Sequence, residues 1–362
     1  MPTLNRFTLP EEFYDWTSDM LLLQPEPQYL YASMYKQAMS AELNVPDVLG
    51  LAGRGVSGSA PGGYATPDDG RLQLAAAMGG EVIGFKMDFT GKPGSMVRVN
   101  RPKFTDTTYT KASRLVASNS TISTTPVNVG SEQVTLMLQR FAGPYDQVNA
   151  RVAPYGLEAF DAEMGVHKMS KIVGLHMKRD YDKFVESVLV SLLDGADQIV
   201  RTAGMTSDND PTADDTANFN YNTLNRAELA LDNANIPTFS DGHRWMVITP
   251  KQAMNMKDDA QFARYAQFHP QFNALYPGYI TTVNKIHLFK SNTLTVSANS
   301  SSVNIHRAHA FGPGVLAAAM GRRPRILSST DDNYGETGKV IWSVDADWTL
   351  ADNRFVVSVR TT

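Results

Sequence analysis

The stretch Met169-Ser-Lys-Ile-Val-Gly-Leu-His-Met-Lys-Arg-Asp-Tyr-Asp-Lys-Phe-Val-Glu-Ser-Val-Leu-Val-Ser-Leu-Leu-Asp-Gly-Ala-Asp-Gln-Ile-Val-Arg-Thr-Ala203 carries the strongest periodic signal in the chain. Its apolar residues, from Val173, Met177 and Tyr181 through Val185, Leu189, Leu192 and Leu193 to Ala196, Val200 and Ala203, recur at spacings of three and four. Lys178, Arg179, Asp182, Lys183, Glu186, Asp194 and Asp197 are interleaved with them. The pattern predicts one long amphipathic helix, about 50 Å if unbroken at roughly 1.5 Å per residue. Gly174 and Gly195 are the positions at which it can bend. A helix longer than most globular helices reads as a strut.

After the strut, Asp208 to Asn222 is a polar, acidic loop, and Leu224 to Asn233 is a second helix stopped by Asn235 and Pro237. Arg244-Trp-Met-Val-Ile-Thr-Pro250 reads as a buried strand ended by proline, and Lys251 to Phe268 as a helix. Tyr279 to Lys290 alternates like a strand, and Phe311 to Met320 is small and apolar. Two further strands, Lys339-Val-Ile-Trp-Ser-Val344 and Arg354-Phe-Val-Val-Ser-Val-Arg360, close the chain. Helices and strands are mixed without regular alternation, which predicts the α+β class.

Before the strut, residues 95 to 140 are rich in Thr, Val and Ser, with period-two runs Met96-Val-Arg-Val99 and Val127-Asn-Val129 that predict a long β-hairpin. Between Lys92 and Arg114 lie Lys92, Arg98, Arg101, Lys103, Lys111 and Arg114 against Asp106 alone, while the first 20 residues carry Glu11, Glu12, Asp15 and Asp19 against Arg6. Two readings fit this pair of opposite charges: surfaces that meet across a boundary between subunits, or two solvated faces. Leu43 to Gly80 crowds Gly50, Gly53, Gly55, Gly58, Gly62, Gly63 and Gly70 together and reads as an extended arm. Between Phe13 and Met39, Pro25 and Pro27 leave room for two short helices. These first 80 residues have no core of their own, so Phe13, Trp16, Leu21 to Leu23, Tyr29 and Tyr31 need cover from the rest of this chain or from a neighbour.

The chain has 362 residues, 42% of them apolar, a formal charge of -4 and no cysteine. That length fits two or three domains with a sizeable core. The absence of cysteine excludes a disulfide framework, thiolate metal sites, iron–sulfur clusters and a cysteine nucleophile. The charge balance argues against a dedicated nucleic-acid reader. The acidic start, without a basic and then apolar segment, is not expected to be a signal peptide, and no apolar run reaches the length of a transmembrane helix.

Motifs with chemical meaning are weak. Gly53-Arg-Gly-Val-Ser-Gly58 matches a dinucleotide loop, but no alternating strand precedes it and Pro61 opposes a following helix. Gly335-Glu-Thr-Gly-Lys339 lacks phosphate-loop spacing and reads as a turn before a strand. His306 and His309 stand three apart with no third ligand or carboxylate orienter nearby in sequence, so ordinary hydrogen bonds are expected of them. Asp208, Asp210, Asp214 and Asp215 lack the central Gly and closing Glu of a calcium loop. No enzyme and no cofactor are expected. The cluster Arg322-Arg323-Pro-Arg325 suits inter-subunit ion pairs, with salt-dependent phosphate contact as the alternative.

The order of elements, a Gly-rich arm, a two-stranded excursion, a very long helix, a compact α/β segment and two closing strands, resembles the major capsid proteins of tailed bacteriophages, the Hong Kong ninety-seven fold. Ala230-Leu-Asp-Asn-Ala-Asn-Ile-Pro237 followed by Trp245-Met-Val-Ile-Thr-Pro250 is similar to the entry into that family's axial domain. Gly278-Tyr-Ile-Thr-Thr-Val-Asn-Lys-Ile-His-Leu-Phe-Lys-Ser-Asn292, Ala308-His-Ala-Phe-Gly-Pro-Gly314 and Asp352-Asn-Arg-Phe-Val-Val-Ser358 resemble further strands of it. Their order, over residues 80 to 362, is the specific part.

The resemblance implies an L-shaped subunit: an N-terminal arm (1–80), an extended loop with flanking strands (81–150), a peripheral domain with a spine helix (151–223), an axial domain (224–325) and closing strands of the peripheral domain (326–362). It implies pentamers and hexamers closing into an icosahedral shell around double-stranded DNA, in a virion assembled in the host cytoplasm, with a portal and a decoration or cement protein as further partners and no membrane. Contacts between subunits are then expected at Arg98, Arg101, Lys103, Lys111, Arg114, Glu11, Glu12, Asp15, Arg322, Arg323 and Arg325. The first 80 residues are too short for an arm plus a fused scaffolding domain, so a separate scaffolding protein is expected. Some relatives weld neighbours by an isopeptide bond, for which Lys103, Lys111 and Asn353 lie in the corresponding regions. An encapsulin-like protein compartment is the alternative within the fold, and a soluble nucleotide-binding enzyme the alternative outside it.

Overall fold

The computed structural model describes residues 21, 29–43, 83–87, 93–102, 131–143, 145–146, 151–152, 155–202, 205–209, 218–239, 242–262, 279–299, 302–328 and 337–362. The arm from Asn44 to Gly80, the Gly53–Gly58 motif and the distal part of the hairpin, with Val127-Asn-Val129, lie outside the described residues.

Helix α1 (Leu30–Leu43) begins just past the two prolines. Strand β1 (Ile83–Met87) follows, then the hairpin strands β2 (Met96–Pro102) and β3 (Ser131–Met137), paired antiparallel from Met96↔Met137 to Pro102↔Ser131. Next come β4 (Gln139–Gly143), the short β5 (Tyr145–Asp146) and β6 (Arg151–Val152), and β7 (Tyr155–Glu158). The long helix, α2 (Ala159–Asp194), has 36 residues. It starts ten residues earlier than its periodicity predicts and stops at Asp194, because Gly195 releases the chain into β8 (Gln198–Arg201). Ile199 and Val200, which continued the helical spacing in the sequence, are therefore strand residues.

Helix α3 (Tyr221–Asn233) is capped by the Asn220 side chain and ends with Asn235 at φ 52°, where Ile236 N–H donates to Leu231 O (3.1 Å) and Asn235 N–H to Asp232 O (2.9 Å). Strand β9 (Arg244–Ile248) runs into α4 (Pro250–Asp258), whose start is a capping box of Thr249 and Gln252 with Pro250 in the first turn. The segment expected as one strand is two, β10 (Tyr279–Val283) and β11 (Ile286–Lys290), folded at Asn284 and Lys285, both at positive φ. A two-residue hairpin turn without glycine hid this break. Strands β12 (Val296–Ala298), β13 (Asn304–Phe311), β14 (Leu316–Ser328), β15 (Thr337–Leu350) and β16 (Val356–Thr361) complete the chain.

Two sheets organise the molecule. In the first, the order β1-β14-β15-β4, with β7 also on β15, presents Leu316, Ala318, Met320, Trp342, Val344 and Trp348 to α1 and α2. The second runs β10-β11-β9-β13-β16-β8, with β12 on β13. One of its faces, with Trp245, Val247, Phe289 and Phe311, joins the same core, and the other, with Met246, Ile248, Leu288, Ala308, Ala310, Val357 and Val359, packs on α3 and α4. These sheets cut across the segments expected from sequence: β16 pairs with β13, and β8 joins through β16, so strands assigned to the peripheral segments share a sheet with the axial ones. The core covers the described part of the N-terminal region, since Leu21, Leu30, Tyr31, Met34, Tyr35 and Met39 are buried within this chain, while Phe13, Trp16, Leu22 and Leu23 lie outside the described residues.

Candidate functional site

The hairpin is seated on the body at its base. Alternation along β2 and β3 turns Val97 and Leu136 inward, where with Leu138 they pack on Ala317 and Ala319 of β14. Those alanines occupy the face of β14 opposite Leu316, Ala318 and Met320, so the first sheet is covered by helices on one side and by the hairpin base on the other. Polar contacts pin the base: Gly94 N–H donates to Leu138 O (2.7 Å), Leu138 N–H to Ser95 O (2.9 Å), Met137 N–H to Asp347 Oδ2 (2.8 Å) and Lys86 Nζ to Arg98 O (3.0 Å). The outward face carries Met96 and Met137, directly opposite each other and 62% and 46% exposed, beside the exposed Arg98 and Thr135.

The arginine cluster lies on β14, broken by register shifts between Met320 and Arg322 and between Arg322 and Arg325. Arg322, Asp345 and Arg140 stand in register across β14, β15 and β4. Asp345 is buried, and two half-exposed arginines cover it: Arg140 Nε at 3.0 Å and Arg322 Nε at 3.4 Å. One cation of the expected inter-subunit set is thus paired within its own chain. Arg323 is exposed and Arg325 half-buried. Arg101 lies on β2, while Lys103, Lys111, Arg114, Glu11, Glu12 and Asp15 fall outside the described residues. Asn353 accepts from Asp197 N–H (3.1 Å).

A third polar region, unforeseen in the sequence, joins α1 to α2. Asp182 and Glu186 were expected on the polar face of the long helix, yet both are buried, because α1 covers that face. Lys36 of α1 meets Asp182 at 2.5 Å. Burial lowers the Lys36 ammonium to about 8, against the opposing pull of Asp182. Glu186 Oε2 accepts from Ala32 N–H at the start of α1 (2.7 Å), and Thr293 Oγ1 lies 2.6 Å from its Oε1. Burial raises this carboxyl to about 7, although Thr293 and the first backbone N–H groups of α1 oppose the shift. At the last residue of the helix, Asp194 Oδ1 is 2.9 Å from His309 Nε2, whose Nδ1 is 3.1 Å from the Tyr31 hydroxyl. Tyr31 donating to Nδ1 leaves the Nε2–H to donate to Asp194, so His309 does have a carboxylate orienter, 115 residues away in sequence. The signal for this region was the spacing of Asp182 and Glu186, one helical turn apart on the border of the apolar stripe.

Among the described residues no group of three or more His, Asp or Glu side chains is placed to hold a metal ion, and no helix is long and apolar enough to cross a membrane. Asp208, from the acidic loop, pairs with Arg201 and Arg360. The arrangement is thus one of surfaces on a rigid body and of buried polar ties between its elements.

No protein-family model matches the chain, and no curated protein matches it by sequence. Solved structures do match it. The capsid structure of the cyanophage P-SCSP1u superposes with a TM-score of 0.55, covering 84% of this chain and 91% of that one at 11% identity. The capsid of Ralstonia phage GP4 gives 0.54 over 77% and 86% at 14% identity, and the capsid asymmetric unit of cyanophage Pam1 gives 0.54 over 77% and 88% at 10%. The shared property is the fold: this chain has the α+β architecture of the Hong Kong ninety-seven capsid proteins.

Proposed function

We propose that this chain is the major capsid protein of a tailed phage, a structural subunit and not an enzyme, which assembles with its own copies into the pentamers and hexamers of an icosahedral shell. The observation that carries the reading is the match of 84% of this chain to 91% of the chain in a cyanophage capsid structure. The physical logic agrees with it. Among the described residues of the hairpin, Val97 and Leu136 on the inner face of its base are buried within this chain, and the outer face there offers two paired methionines and an arginine to a neighbour. Many such modest interfaces, repeated around a closed shell, sum to a stable particle.

In this reading residues 1–80 form the arm, 81–150 the extended loop, 151–223 and 326–362 the peripheral region and 224–325 the axial domain. Arg98, Arg101, Lys103, Lys111 and Arg114 on the loop, Glu11, Glu12 and Asp15 on the arm, and the Arg322, Arg323 and Arg325 cluster contribute charged contacts between copies. A separate scaffolding protein directs assembly, a portal occupies one vertex, a decoration protein docks outside, and double-stranded DNA fills the virion without sequence-specific contact.

The test is electron microscopy with light scattering on the expressed chain, alone and with its scaffolding partner. Closed shells or ring-shaped capsomers are expected, and nuclease-protected DNA inside particles from infected cells separates a virion from a protein-filled compartment. A stable monomer under every condition overturns the reading.

A further inference from the structure

The seam between α1 and α2 is a row of buried ionisable groups, an unusual way to attach one helix to another. An apolar seam alone holds a helix with no dependence on pH. Here the attachment also runs through Glu186 at the N-terminus of α1, the Lys36–Asp182 pair in its middle, and Tyr31 reaching His309 and Asp194. We propose that α1 is a proton-controlled latch, fastened to the long helix while Glu186 is protonated and loosened when that carboxyl ionises.

The geometry supports both states. Protonated, Glu186 keeps Oε2 as acceptor for Ala32 N–H and donates from Oε1 to Thr293 Oγ1, whose own hydrogen turns to Ser291 Oγ, 2.7 Å away. Ionised, it accepts from Thr293 Oγ1–H and the hydroxyl chain reverses, so no bond is lost, but a full charge is then enclosed in a site closed to water. The N–H groups of α1 relieve part of that burden and not the whole, and the folded carboxyl titrates near 7 against its ordinary 4.5.

Other groups on the packed elements set the sign of the whole. On α1, Tyr31 and Tyr35 are pushed above their ordinary range by burial and stay neutral. On α2, burial acts to raise Asp194, but the hydrogen bond from His309, helped by Thr295 and Arg307, outweighs it and holds the carboxyl low. Tyr181 stays neutral, and Lys178 adds to the lowering of Lys36. Glu186 is raised, so its contribution is complete below pH 4.5 and is lost as pH climbs through about 7. Lys36 is lowered, so it acts in the opposite sense, strengthening the latch only from about 8 upward. The latch is loosest between those two values.

The experiment is hydrogen–deuterium exchange on the full-length chain at pH 5.5 and 8, corrected for intrinsic exchange rates, with β15 as internal reference. Protection of the α1 amides is expected to fall on the order of tenfold relative to β15 between the two pH values, from the Glu186 shift less the opposing Lys36 term. The Glu186→Gln variant should remove that fall while keeping α1 protected at pH 8. Equal pH dependence of α1 and β15 in the unmodified chain overturns the proposal without recourse to a variant. An unchanged pH response in Glu186→Gln overturns it as well. The readout is internal to one chain, so it stands apart from whether the chain builds shells.

Discussion

Lys36 and Asp182 face each other with almost no exposure, and the ammonium also lies 5.4 Å from the centre of the Tyr181 ring. Removing one charge leaves the other buried alone, so Lys36→Met should destabilise the chain by about 3–5 kcal/mol, whereas the double replacement with Asp182→Leu should recover most of that loss. Chemical denaturation of the single and double variants, read as a thermodynamic cycle, checks both. Gly143 is a second sensitive position. A Cβ there would meet the Asp180 carboxylate and come within 2.5 Å of Trp342, the two groups joined by the Trp342 Nε1–H to Asp180 Oδ2 bond (2.7 Å). Gly143→Ala is expected to lose about 1–3 kcal/mol, with Trp fluorescence during unfolding as the monitor. Neither site was legible in the sequence, because a lysine among Tyr35, Ala38 and Met39 or a glycine at a strand end acquires its meaning only from partners on other elements, Asp182 for the one and Asp180 and Trp342 for the other. Asn235, by contrast, announced itself: a helix pattern followed by Asn-Ile-Pro specifies its own ending through local backbone chemistry.

At the scale of elements, the hairpin base depends on small residues beneath it. Ala317 and Ala319 leave room for Val97, Leu136 and Leu138 to rest on β14 while Asp347 holds the Met137 amide. Ala319→Leu should push the hairpin off its seat, at a cost of about 1–3 kcal/mol, and accelerate amide exchange in β2 and β3 while β15 keeps its protection; unchanged β2 and β3 would mean that the seat is soft. The hairpin and the long helix were both legible as elements, since periods of two and of three to four are local properties. Their ends were less so. The helical spacing ran on through Ile199 and Val200 because these two half-buried residues of the edge strand β8 happen to fall at the same intervals, and Gly195 was the break. A charge-reversal pair at Glu12 and Lys103 tests the charged arm-to-hairpin contact expected from Glu11, Glu12 and Asp15: each single reversal should weaken association between copies and the double reversal should restore it.

For the whole molecule, the α+β class and the order of elements were readable along the chain, while sheet membership was not. Strand neighbours here are set by which apolar faces meet, and β8, β13 and β16 come together from positions 198, 304 and 356 onward. A linear scan divides such a chain into consecutive segments, but the sheet ignores that division. The placement of β16 bears on synthesis. This strand is interior to its sheet, with β13 on one side and β8 on the other, so its Val356, Val357 and Val359 complete both hydrophobic cores. While the ribosome is still making the earlier elements, β8 has no hydrogen-bonding neighbour in that sheet and the long helix lacks part of the surface it rests on. A nascent chain therefore cannot finish folding until residues 356–361 have emerged from the exit tunnel, which makes completion of both cores wait on translation itself.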